Sequence, residues 1–298
     1  MKTIKWNGEK ISKPGIYSGI SMDDYHGDIA EGPSISSSGL RTIIKQSPAH
    51  YYANSYLNPN REPEEVKDHF DFGKAAHCLL LGESGFREQY AIRPQVWDTW
   101  RTDAAKKWRT EMEEMGRICL VPDDIHAIKR IAEQLAKDPI VGAGILQGEV
   151  ERSIIWKDEE TGIWIKTRPD VIPESDGMAA DMKTTTDASP LAIAKAVDNF
   201  GYHQQGALIG EGFKQVLNLE MTDFVLVWIE KKAPFVVNVS PVEDQWIYYG
   251  AKQNRRALNI FAECVKTGVW PSYPSDVTTR MPEYVAKRFQ NWEKLGLL

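Results

Sequence analysis

The chain has little cysteine. Cys78, Cys119 and Cys264 are its three in 298 residues, and no two stand in C-x-x-C spacing. This odd, scattered set excludes a disulfide framework, a structural zinc site and a cysteine-bound iron–sulfur cluster, and fits thiols kept reduced in a cytoplasm. No apolar run approaches the length of a membrane-spanning helix, and the start of the chain leads into no apolar signal region. Nor is there an excess of positive charge: 36 Lys and Arg stand against 42 Asp and Glu, for a net charge of −6. That balance counts against a general nucleic-acid binder but leaves room for one basic channel beneath an acidic exterior. No internal repeat is present. What remains is ordinary for a globular protein, with 42% hydrophobic and 26% charged residues. The length suffices for a substantial core, in one large domain or two small ones.

The rest of the chain is organised around residues 163–186, IWIKTRPDVIPESDGMAADMKTTT. Ile163, Ile165 and Thr167 alternate with Trp164, Lys166 and Arg168; a turn follows at Glu174–Gly177, then the apolar run Met178–Met182 and Lys183. If the hairpin folds about the Ser175–Asp176 bond, Asp170 lies opposite Asp181. Carboxylates facing across a strand pair sit about 5 Å apart and repel. The arrangement calls for a divalent cation between hard oxygen ligands. Lys183, two residues past Asp181, points to the same side, about 6.6 Å along the strand. Two carboxylates and an ammonium on one face suit metal-assisted phosphodiester hydrolysis. A D-x-K tripeptide alone is common among surface charges; the facing Asp170 and the apolar neighbours make the difference.

Elsewhere the signals have two readings each. Residues 1–33, broken by Pro14-Gly15 and Gly32-Pro33, predict an irregular arm that packs on the body or on a neighbouring subunit, and 34–298 one domain with a C-terminal helical tail. Ser34–Ser38 before Leu40, Ile43 and Ile44 begin a helix; with Arg41 in its first turn, this start either caps itself or holds a phosphate. Residues 58–69 form a polar connector. His77, within the apolar helix 70–81, reads on its own as a packed core residue. Trp97, Trp100 and Trp108 interleave with Arg101, Lys106, Lys107 and Arg109. They make either a base-stacking, phosphate-contacting surface or a helix, Asp103–Glu114, whose tryptophans are core and whose Glu111, Glu113 and Glu114 offset the positive charge. Residues 122–137 form an amphipathic helix. Glu151 reads as a strand acid paired with Arg168. Residues 283–298 form a final amphipathic helix suited to subunit contact or to closing the core.

Several of these segments match a known pattern together. R-P-D at 168–170, ten residues, D-x-K at 181–183 and G-Y-H-x-Q at 201–205 resemble the PD-(D/E)XK nuclease superfamily. More narrowly they resemble the phage-type exonuclease VIII (RecE) nuclease domain and its RecB-like relatives. S-x-S-x-L at 36–40, S-P-x-x-Y at 47–51 and G-x-x-x-H-x-x-L at 73–80 extend the likeness from about Ser34 to Tyr273. The resemblance implies an α/β, restriction-endonuclease-like core: a central mixed β-sheet flanked by helices. It implies Mg²⁺, with Mn²⁺ as substitute, held by Asp170, Asp181, His77 and the Met182 carbonyl. Lys183 would activate or position the attacking water, Glu151 would support the site, and Gln205 would help place the scissile strand. Ser36, Ser38, Arg41 and Tyr202 would contact DNA. Ile209 stands where relatives often carry tyrosine, which removes one stacking contact.

The implied function is digestion of linear double-stranded DNA from 5′ ends, leaving 3′ single strands for recombination. The implied partners are DNA ends, further copies in a ring (trimer or tetramer) and a single-strand annealing protein, with no membrane. The implied setting is the cytoplasm of a bacterial host, with a phage or prophage as source. The same core also serves endonucleases, single-strand nucleases and non-catalytic DNA-binding scaffolds. The intact Asp170, Asp181 and Lys183 argue against the last.

Overall fold

A computed structural model of the chain describes residues 3–62, 71–82, 86–150, 152–172, 177–275 and 277–298. The first half runs β1 (Ile4–Lys5), β2 (Gly15–Ser18), α1 (Met22–His26), β3 (Ser34–Ser36), α2 (Ser37–Lys45), α3 (Pro48–Asn54), α4 (Asp71–Leu80), α5 (Phe86–Gln89), β4 (Tyr90–Ile92), α6 (Asp103–Glu114), β5 (Ile118–Leu120), α7 (Pro122–Leu135) and α8 (Pro139–Gly142). The second half adds β6 (Glu149–Val150), β7 (Ser153–Lys157), β8 (Trp164–Thr167), β9 (Val171–Ile172), β10 (Met178–Thr185), α9 (Pro190–Phe200), α10 (Tyr202–Gly212), β11 (Asp223–Glu230), β12 (Val237–Pro241), α11 (Asp244–Thr267) and α12 (Glu283–Lys294).

Two mixed five-stranded sheets carry the architecture, in the orders β1-β2-β7-β8-β3 and β12-β11-β10-β9-β6; β4 and β5 pair separately. The two large sheets share one long hairpin. Glu149 pairs with Ile172 and Val150 with Val171 in one sheet, and Ile154 pairs with Thr167 and Lys157 with Trp164 in the other. The register is the same on both sides of the bend, so no residue is gained or lost there. Pro169 occupies the bend. It has no N–H to extend either ladder, and such positions suit proline.

This bend corrects the expected single hairpin of 163–182. Residues 164–167 belong to the other sheet, and only β9 lies against β10, through Ala180 and Val171. That bridge has the register expected for Asp170 opposite Asp181. Residues 174–176 of the expected turn lie outside the described residues; Gly177, its last, has a left-handed φ of 74°.

β8 is covered on both faces. Ile165 joins the main core with Ile35, Leu40, Phe213 and Phe261, and Trp164 joins a satellite core with Tyr17, Tyr25 and Ile155. Residues 3–33 pack on the body, one of the two placements expected for them, but not as a wholly irregular arm: β2 pairs with β7, Tyr17 helps build the satellite core and Ile16 joins the main one. At the other terminus, α12 has no buried residue, so the core-closing role expected for 283–298 is not found. Among the described residues, no helix is long and apolar enough to cross a membrane.

β10 and β11 are parallel, from Met178 beside Asp223 to Thr185 beside Glu230, and α9 and α10 form the crossover between them. Alternation divides β10 between two environments. Met182 packs with Ile131, Leu135 and Val227, while Ala179, on the other face, joins the core shared by α10 and α11. α10 is held close to α11 at Gly250, where an added Cβ would lie 2.5 Å from the His203 carbonyl oxygen. Gly250→Ala is expected to lower stability by about 1–3 kcal/mol through overpacking. The check is a lower urea midpoint at unchanged slope; an unchanged midpoint would show that α10 and α11 separate freely.

Candidate active site

Strand alternation puts Asp181 and Lys183 on the face of β10 that looks towards α10. Gly201, left-handed at φ 65°, ends α9 and starts α10. Tyr202 and Gln205, three residues apart, then share one side of α10. Gln205 donates from Nε2 to Asp181 Oδ1 at 2.7 Å. The Tyr202 ring centroid lies 4.6 Å from Lys183 Nζ and 5.7 Å from the ring of Trp228, the cross-strand partner of Lys183. The residue expected to touch DNA thus also holds the ammonium in place by a cation–π contact. The sequence carried no signal for Trp228 beneath it.

Asp181 is 1% exposed, and its Oδ2 faces the Lys183 ammonium in an ion pair with no other partner among the described residues. Asp170, just past the bend, accepts from the Met182 N–H at 2.7 Å and lies 3.5 Å from His77 Nδ1 on α4. His77 is 25% exposed and faces a carboxylate, so it is not a plain core histidine. Burial raises the Asp170 pKa above the ordinary carboxylate value, and Asp181 adds to the rise; His77, Lys183 and the Met182 N–H only partly offset it. Burial works against the Lys183 ammonium, but Asp181, Asp170 and Tyr202 outweigh it and raise its pKa. Lys183 is therefore held as a cation.

The remaining expected residues are placed unevenly. Arg41 donates from Nη1 to the Phe200 carbonyl at 2.9 Å and from Nε to the Ser37 carbonyl at 3.3 Å, which ties α2 to the end of α9. It is near enough to Asp181 and Tyr202 to interact with them electrostatically. Ser36 is the N-cap residue of α2, but its hydroxyl caps no N–H and pairs instead with Ser38 Oγ at 3.0 Å. That corrects the self-capping reading and leaves the first amides of α2 without a side-chain cap from Ser36. Ile209 is fully buried in the main core. His203 is also buried, against the Val197 carbonyl and Gln253, as part of the contact between α10 and α11. Glu151 and most of the 58–69 connector lie outside the described residues.

The residues fit a hard, hydrated cation better than a closed cage. Among the described residues, no three His, Cys, Asp or Glu side chains converge as a complete metal site. Two facing carboxylates remain, one with an oxygen whose sole partner among the described residues is Lys183. Met182 adds a carbonyl: a strand residue's N–H and C=O point to the same edge, and its N–H already points to Asp170. Mg²⁺ keeps several waters and binds through one or two carboxylates, which matches this incomplete set.

Comparison with known proteins fits this geometry. A family model described as a PDDEXK-like domain of unknown function (DUF3799) matches residues 36–279. The crystal structure of a "putative exonuclease" from Eubacterium rectale superposes with a TM-score of 0.56 at 14% identity, covering 91% of this chain and 98% of that one. A phage related exonuclease from Haemophilus somnus 129PT, at 11% identity over 79% of this chain and 96% of its own, gives 0.30. No curated protein matches. The likeness at 14% identity bears on the fold alone, and the second is too weak to support an argument.

A buried carboxylate whose pKa is raised costs stability when ionised. The folded state then binds the proton more tightly than the unfolded state, so stability falls as pH rises from the ordinary carboxylate range through the raised pKa. Asp170→Asn is therefore expected to stabilise the metal-free protein by about 0.5–2 kcal/mol at neutral pH, and not at pH values below the ordinary carboxylate range. Denaturation at both pH values in EDTA checks this; an equal effect at both would remove the electrostatic cause.

Proposed function

Since the chain belongs to the PDDEXK-like family matched over residues 36–279, we propose that it is a metal-dependent exodeoxyribonuclease. It would digest linear duplex DNA from 5′ ends and leave 3′ single strands for recombination. The observation that carries this reading is Asp170 facing Asp181 beside a Lys183 held cationic. Asp170, Asp181 and the Met182 carbonyl would hold Mg²⁺, or Mn²⁺ in its place, with His77 the nearest further donor. Bound there, the ion would neutralise charge at phosphorus and lower the pKa of its water.

The chain's own groups have separable tasks. Lys183, kept protonated, is suited to stabilising the negative charge that develops on the phosphoryl oxygens and to orienting the attacking water, not to accepting a proton at rest. Gln205 fixes Asp181 through Oδ1 and Tyr202 fixes Lys183, so both charged groups are positioned before substrate arrives. Arg41, Ser36 and Ser38, with the uncapped amides of α2, offer donors for backbone phosphates. Glu151 would support the site. In this reading the working form is a ring-shaped homo-oligomer that hands its product to a single-strand annealing protein, in a bacterial cytoplasm. The same geometry would serve an endonuclease equally well, and closed circular DNA separates the two.

The test is digestion of linear duplex labelled at the 5′ or 3′ end, with Mg²⁺ or EDTA. Early Mg²⁺-dependent release of the 5′ label is expected, with no action on closed circles. Asp181→Ala and Lys183→Ala should each lose at least about 100-fold in rate, the usual scale for removing one electrostatic group from such a site. Cutting of closed circles would establish an endonuclease instead, and folded wild type that cuts no DNA would end the nuclease reading.

A further inference from the structure

α6 and the loop before it gather three tryptophans that belong to none of the hydrophobic cores. The helix is anchored elsewhere: Thr102 caps it by accepting from the Ala105 N–H at 3.2 Å, and Ala105 is its buried residue. Trp97, Trp100 and Trp108 are half-buried and lean on one another, with Trp100 and Trp108 nearly parallel at 17° and 6.1 Å. The guanidiniums of Arg93 and Arg109 lie 5.2 Å and 5.5 Å from the Trp100 ring centroid.

The two arginines differ in one respect. Arg109 pairs with Glu113 at 2.6 Å. Arg93 is fixed by its backbone, whose N–H donates to the Leu120 carbonyl and prolongs the pairing of β4 with β5. Its side chain makes no hydrogen bond or ion pair among the described residues, and its Nε is buried without a partner. A half-buried guanidinium with no acceptor is costly, and a phosphate oxygen pair is the acceptor whose shape it matches. Arg101, Lys106 and Lys107 are exposed beside it. Among the described residues, the two lysines make only long surface pairs, at 3.8 Å with Asp103 and 3.9 Å with Glu111. Such pairs contribute little and exchange readily for phosphate.

We propose that Arg93, Trp97, Trp100, Trp108 and Arg109 form a subsite for single-stranded DNA, with phosphate on Arg93 and nucleobases against the indoles. Aromatic faces set among cations are the general means of holding a single strand without reading its sequence. A duplex hides its base faces and would leave the indoles unused. The stretch is electrically balanced, since Asp98, Asp103, Glu111, Glu113 and Glu114 match its five cations, so the attraction rests on the Arg93 guanidinium and the indoles rather than on net charge. The subsite rests on the nuclease reading for its source of ligand, the strand spared by digestion. It is built on β4 and α6, and β5, the partner of β4, packs against α4, the helix that carries His77.

The test uses the full chain in EDTA, with binding of a fluorescein-labelled oligothymidylate followed by anisotropy. Trp100→Ala is expected to weaken binding about 10-fold or more, within the range of losing one stacked base, and Trp100→Phe to recover most of it. Arg93→Gln should flatten the dependence of affinity on salt by about one counterion. Hydrolysis of bis-p-nitrophenyl phosphate, which offers no base or strand, should be unchanged in Trp100→Ala. Equal oligothymidylate affinity in wild type, Trp100→Ala and Arg93→Gln, or none in wild type, would overturn the subsite and leave the nuclease reading to the labelled-end assay. Trp100-dependent binding by a protein that cuts no DNA would uphold the subsite and sink the nuclease reading.

Discussion

Two carboxylates that face each other, one buried and one partly so, are the constraint on which the rest of this structure depends. Asp170 and Asp181 repel, and neither has a full complement of cationic partners. The surrounding elements are arranged to tolerate that. β10 supplies Lys183 two residues on, α10 supplies the Gln205 amide, β10 supplies the Met182 N–H, and α4 brings His77. They come from three elements, β10, α10 and α4, and each element is needed at a fixed position. The close approach of α10 to α11 at Gly250 and the dry packing of Met182 are therefore conditions of the site as much as of the core. Ionised, the pair is a cost carried by the fold until a cation takes it up, as expected where a site is built at the expense of stability.

The part of this arrangement legible in the sequence was the part governed by strand register. A period of two and a turn at a fixed place were enough to set Asp170 opposite Asp181, and the bridge from Ala180 to Val171 has that register. Helices with caps or clear amphipathic stripes were legible too, and Asp103–Glu114 has the expected bounds. What was not legible was membership of a sheet. β8 is buried on both faces, with Lys166 and Thr167 as hidden as Ile165, so its alternation of residue type says nothing about which sheet it joins. The bend at Pro169 was read as the middle of one strand because the register runs through it unchanged.

The strands within residues 3–33 were not legible for a related reason. Their glycines and prolines marked breaks, and the short strands between them are too small to show a period. Their burial comes from Tyr17, Tyr25 and Trp164 meeting across long separations, and only the tertiary structure reveals that. Likewise the sequence could name Tyr202 but not its position beneath Lys183, since that depends on Trp228 from a strand more than twenty residues away.

The charge of the chain follows from the same division of labour. A protein with a net charge of −6 cannot hold a polyanion by its average field, so any binding must come from cations that local structure keeps free or forces together. Lys183 is forced: two carboxylates and an aromatic ring keep it protonated despite burial. Arg41 is held by carbonyls, which orient a guanidinium without neutralising it. Arg93 is held by an indole face in the same way. For the two arginines the partner that fixes the cation leaves charge to spare for a phosphate, whereas Lys183 is paired with Asp181 and the Asp158 carboxylate takes up two nitrogens of Arg255. Nearby carboxylates close off one kind of cation, while carbonyls and aromatic faces keep the other available. In the proposed function, that distinction, rather than net charge, marks where a nucleic acid would meet this surface.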